Sequence, residues 1–127
     1  MEILMALILK VLNTITSVSA PGTATKTSIT PSANTPKGWL VKAITLLNNA
    51  QGLTITPIQV QITKGATSLF LVKNLSVATS EQYVIDLNGQ EVTLNFNSGT
   101  PDKIEITATG ATGKVLNVLV DGLERDQ

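Results

Sequence analysis

Apolar and polar residues alternate with a period of two through much of this 127-residue chain, a period that belongs to strands with one face buried. It is clearest near the C-terminus. Ile104, Ile106 and Ala108 alternate with Lys103, Glu105 and Thr107, and Leu116, Val118 and Val120 alternate with Asn117 and Asp121. Val92, Leu94 and Phe96 alternate with Thr93, Asn95 and Asn97, and Asn88-Gly89 separates this run from the apolar run 83–87. Asn-Gly between two such runs predicts a hairpin, because a type I′ turn needs positive φ at both central residues. Residues 39–47, WLVKAITLL, predict a strand closed by a loop over 48–52 that suits a hairpin with a longer turn. In the strand predicted over 53–62 the apolar phase runs Leu53, Ile55, then Ile58, Val60, Ile62. The shift by one at Pro57 predicts a β-bulge or kink that keeps both halves facing the core.

The remaining elements follow from punctuation by Gly, Pro and Asn. Loops are expected over 19–25 and 31–38, around a short strand at 27–30. Residues 64–66 make a turn, 68–77 one strand or two, and 110–113 a turn into a final strand over 114–123. Glu124-Arg125-Asp126-Gln127 is expected as a solvated charged tail.

The N-terminus imitates a signal peptide, with an apolar stretch over 3–9 and Val18-Ser19-Ala20 resembling a cleavage site. Glu2 makes the leading region acidic where a secretory signal is positive, and Pro21 follows the cut point. A membrane span needs about 20 apolar residues, and Lys10 interrupts the run. The expected element is a first strand over 7–18 preceded by an apolar arm at 1–6, with a helix over 3–12 as the rival. Ile3, Leu4, Leu7, Leu9 and Val11 are the candidate inter-subunit contact.

About eight to nine strands spaced by about 8–12 residues predict an all-β fold, a single β-sandwich over residues 1–127, jelly-roll-like or Ig-like. A composition that is 43% hydrophobic and 14% charged excludes disorder. The formal net charge of +0 removes the attraction that nucleic acid or an anionic membrane would require. With no Cys and no His, disulfides, Cys- or His-ligated metals and His-based triads are all absent. The carboxylates Asp86, Glu91, Asp102, Glu105, Asp121 and Glu124 fall at turns or on outward strand positions, where solvation is expected rather than glycosidase chemistry. Asp86-Leu87-Asn88-Gly89 could offer oxygen ligands to a hard metal, but the turn alone explains those residues. No enzyme, cofactor or metal site is expected. Trp39 is the one large aromatic suited to a sugar platform. A carbohydrate- or surface-binding module would expose it together with Tyr83 on one face.

Residues 36–49, PKGWLVKAITLLNN, resemble a recurrent block in small β-sandwich structural proteins of tailed bacteriophages. There a Pro- and Gly-containing loop precedes a strand of the form hydrophobic-Val-Lys-Ser/Ala-Ile-x-Leu-x-Asn. Residues 102–109, DKIEITAT, and 114–124, KVLNVLVDGLE, are similar to that family's last strands, and Leu9-Lys10-Val11-Leu12 to its opening strand. The resemblance spans roughly residues 7–124. Departures are Asn95-Phe96-Asn97-Ser98-Gly99, where the pattern often has a Gly-Asp turn, and the extra apolar N-terminus. It implies a virion subunit, foremost a capsid decoration (cement) protein at the capsid surface that bridges capsomers of the major capsid protein. A tail, baseplate or fibre subunit is the alternative. A homo-oligomer, first of all a trimer, is the assembly expected.

Overall fold

A computed structural model describes residues 9–19, 25–31, 37–48, 54–87, 92–95, 102–109 and 115–126. All nine elements among them are strands: β1 (Leu9–Ser19), β2 (Thr25–Ile29), β3 (Lys37–Leu47), β4 (Ile55–Lys64), β5 (Thr67–Val77), β6 (Gln82–Asp86), β7 (Val92–Asn95), β8 (Lys103–Ala108) and β9 (Val115–Asp126). They form two antiparallel sheets. The first runs β1-β9-β3-β6, with β7 also on β3, and the second runs β2-β8-β4-β5. The expected β-sandwich is the fold.

One core cluster draws on the inner faces of both sheets. Val18, Val41, Ile44, Leu46, Leu94, Leu116, Val118 and Val120 come from the first sheet, and Ile55, Ile58, Val60, Ile104, Ile106 and Ala108 from the second, all with 0% exposure. The alternations read from β8 and β9 therefore hold, because a period of two gives each strand one buried face. The bulge expected at Pro57 holds as well. The β4–β5 register shifts between Ile55 and Ile58, and both residues stay fully buried.

Two local expectations fail, for one shared reason. Asn88-Gly89 makes no hairpin between its flanking strands. β6 pairs with Ala43–Leu47 and β7 with Gly38–Val41, so the two run in the same direction, end to end along one edge of β3. The loop after β3 makes no hairpin either, because β3 and β4 lie in different sheets. The turn expected at 110–113 lies outside the described residues; the strands on either side of it, β8 and β9, are in different sheets. A buried face demands the same alternation whichever sheet receives the strand, so alternation is silent about partners. Among the described residues, consecutive strands pair at β4–β5 alone, through the two-residue turn Gly65-Ala66. Gly65 has φ +64, the glycine-first pattern that suits the twist of a hairpin.

A second bulge, not anticipated, lies in β3. Trp39 and Val41 are buried, then Ile44 and Leu46, so the phase shifts at Lys42, where the register with β9 also shifts. Both edges of β3 accommodate the extra residue. On one side Gly122 of β9 is so close that a Cβ there would lie 1.9 Å from the Leu40 carbonyl oxygen. On the other, the gap between β6 and β7 falls at this level, and the Leu87 N–H donates to the Lys42 carbonyl at 2.8 Å. The expected C-terminal tail is also different, because β9 continues to Asp126 and pairs with β1 and β3.

Candidate functional site

Of the five N-terminal candidates, Leu9 and Val11 lie in β1, opposite Arg125 and Leu123 of β9. Ile3, Leu4 and Leu7, with the arm at 1–6, lie outside the described residues. β1 is an outer strand of the first sheet: its one strand partner among the described residues is β9. Its other edge offers the backbone groups of an 11-residue strand, a template for another chain or another segment.

The carboxylates divide by burial, and for three of them the expected solvation is wrong. Asp102 is 4% exposed, with Lys64 Nζ at 4.0 Å. Glu105 is 8% exposed although it projects from the outer face of the second sheet. Its Oε1 accepts from Thr63 Oγ1 at 2.7 Å and from Gln61 Nε2 at 3.0 Å, and Lys103 Nζ lies 3.8 Å from Oε2. Thr63 and Ser68 hydroxyls are 3.0 Å apart. Since the one Thr63 proton goes to the carboxylate, Ser68 is the donor in that pair. Burial raises the Glu105 pKa, but the Thr63 hydroxyl, the Lys26 and Lys103 charges and the Gln61 amide outweigh it and hold the carboxyl below its ordinary value. The cross-strand registers Gln61↔Glu105 and Ser28↔Glu105 explain the meeting. A pairing between β8 and β4 cannot be read from either strand alone.

Glu124, expected to be solvated, is half-buried and accepts from Trp39 Nε1 at 2.8 Å. Trp39 is 6% exposed, so its indole belongs to the core with its one polar atom satisfied. It cannot form an exposed aromatic face with Tyr83, which is 42% exposed. Asp86 and Asp121 are exposed, as expected. Glu91 lies outside the described residues. Among the described residues no three acidic side chains gather into a group able to hold a metal.

What chain-wise reading missed is the contrast between the two outer faces. On the second sheet the outward residues of β8, β4 and β2 are polar: Lys103, Glu105 and Thr107, Gln59, Gln61 and Thr63, Lys26 and Ser28. On the first sheet the register aligns Ile15 of β1, Leu119 of β9, Thr45 of β3 and Val84 of β6 in one row across four strands. Ile15 is 69% and Val84 49% exposed. The only signal in the chain is that these segments are apolar or β-branched in both phases, as in Thr14-Ile15-Thr16 and Val118-Leu119-Val120.

No family model and no curated protein matches the chain. Among solved structures it is similar to the Drosophila NLP core, described for pentamer formation and histone binding, at 9% identity over 93% of this chain and 98% of that one, with a TM-score of 0.42. It is also similar to chains in structures of infectious bursal disease virus. For the Gx strain the identity is 8% over 88% of this chain and 32% of that one, with a TM-score of 0.38. For the Gt strain it is 10% over 88% and 31%, with a TM-score of 0.35.

Proposed function

We propose that this chain is a non-catalytic structural subunit of a tailed-phage virion, foremost a capsid decoration protein that stabilises the head by bridging capsomers. The observation that carries the reading is β1, a long outer strand whose second edge has no strand partner among the described residues and which follows the apolar segment 3–8 in sequence. Such an edge joined to an apolar arm suits attachment by backbone pairing and apolar burial together. The resemblance of residues 36–49 and 102–124 to phage structural proteins supplies the biological setting.

The strand order β1-β9-β3-β6 against β2-β8-β4-β5 supports a jelly roll, with β6 and β7 sharing one position. Jelly rolls serve in viral capsids and in lectins, so side chains decide between these uses. Buried Trp39 argues against the lectin-like alternative. A subunit bound only to the assembled head stabilises it by mass action, and a trimer is the assembly we favour. The partner is the major capsid protein, and the location is the capsid surface. A place in the tail or baseplate is the second reading.

Deleting residues 1–6 tests the attachment. The truncated chain should keep a β-sheet circular dichroism spectrum and lose at least tenfold in occupancy on purified heads. Undiminished occupancy overturns the arm as the attachment. Recovery of the full-length chain on tails instead of heads would establish the second reading.

A further inference from the structure

We infer that the outer face of the first sheet is a contact surface for a second copy of this chain, packed face to face about a two-fold axis. The axis runs across the strands, above the Ile15–Leu119–Thr45–Val84 row. This surface is separate from the N-terminal attachment and stands independently of the virion reading.

Three neighbouring rows at the middle of the face are set by strand register, which continues beyond them into the row Val11, Leu123, Leu40 and Thr93. The central row is apolar at three of its four positions and crosses the whole sheet. One flanking row contains Asn13, Asp121, Ala43 and Asp86, and the other Ser17, Asn117, Leu47 and Gln82. Single exposed aliphatics on a sheet need no explanation, but a contiguous stripe does.

A second copy fits because these rows complement one another under one operation. Rotation about an axis along the central row sets that row on itself and each flanking row on the other. Asp121 then faces Asn117 of the second copy, Asp86 faces Gln82, and Ala43 faces Leu47. Carboxylates meet amide donors and apolar meets apolar, which matters because a buried carboxylate without donors is costly. Asn117 Oδ1 already accepts from Ser17 Oγ at 3.1 Å, so the amide N–H groups are the end turned to a new partner. The other two-fold possible in the plane, along the strands, would place Asp121 over Ala43 and give it no donor. The strands remain aligned across the contact, as in packed sheets generally.

Four strands and three rows give a footprint of roughly 20 by 20 Å, about half of what each partner gives to a standard interface. Two free copies therefore associate weakly, while copies held in an array gain from their effective concentration.

Sedimentation equilibrium of the full chain tests this. The mass should double from its dilute value as concentration rises from about 10 µM to about 1 mM, the range of a weak contact. Val84→Glu and Ile15→Glu, both at exposed positions, should each weaken doubling at least tenfold with an unchanged circular dichroism spectrum. Asn117→Asp, which sets carboxylate against carboxylate, should weaken it at low salt. Phe70→Glu, on the other sheet, should leave it intact. A constant mass, doubling that survives both glutamate variants or Asn117→Asp, or doubling lost in Phe70→Glu overturns the proposal. None of these outcomes bears on head occupancy, which tests the virion reading separately.

Discussion

At the scale of single residues, Gly122 and Glu105 show what the pairing of strands demands. A methyl group on Gly122 would strike the Leu40 carbonyl at 1.9 Å and approach the Lys42 nitrogen at 3.1 Å. Both are backbone atoms, fixed by the ladder, and cannot turn aside as a flexible side chain would. Gly122→Ala should cost about 3 kcal/mol, the upper range of overpacking and a large share of a typical domain's stability. A urea midpoint that does not move would refute the close approach. Glu105 supplies a pH prediction. Its folded pKa is depressed, so its contribution is present above the unfolded value and lost as pH falls through the folded one. Wild type should exceed Glu105→Gln by about 1–2 kcal/mol at neutral pH, the scale of hydrogen bonds to a charged group. That difference should shrink below about pH 4.3, the ordinary glutamate value. Urea midpoints between pH 7 and 3 measure it, and a constant difference would show that the network does not depend on the charge.

At the scale of elements, β3 is the strand around which the first sheet is organised. It alone pairs with β9, β6 and β7, and its bulge at Lys42 turns Val41 and Ile44 both inward. Deleting Lys42 would remove the extra residue and leave Trp39, Val41, Ile44 and Leu46 on one face in strict alternation, so the ladder with β9 would run without a bulge and the core would be kept. The expected result is a chain that still folds, seen as blue-shifted emission from a buried Trp39. Red-shifted emission would mean that the fold needs the bulged residue itself. Much of this was legible in the sequence as single strands. The alternations in β8 and β9 and the phase shift at Pro57 are one-dimensional signals, and each appears in the fold. The bulge in β3 was hidden because Leu40, Val41, Ala43, Ile44, Leu46 and Leu47 are apolar in both phases, leaving no break to notice. Asn88-Gly89 misled because its local preference for a hairpin competes with a continuous neighbour, β3, which takes both flanking strands on the same edge.

At the scale of the molecule, the two outer faces are unlike. One is a hydrogen-bonded polar surface around Glu105 and Gln61 with Phe70 exposed at its β5 margin, and the other carries an apolar row flanked by acids and amides. This contrast was invisible in the chain because rows form across strands far apart in sequence, and register is a property of pairs. The same holds for the proposed attachment. Leu9 and Val11 were legible as apolar, while the edge position that makes β1 available came only from the order of the sheet. The pairing of β1 with β9 also has a consequence for biosynthesis. Its register joins Leu9 to Arg125 and Ser19 to Val115, so the first strand waits for its partner until about 100 further residues have been translated. At about 5–20 residues per second that wait is roughly 5–20 s, during which β1 has both edges open on the ribosome. Neighbouring polysomes bring other nascent copies within reach in the same interval. A completed β9 from one chain can then capture β1 of another, so that two protomers leave synthesis with first strands exchanged, a route to dimers that requires no new contact surface.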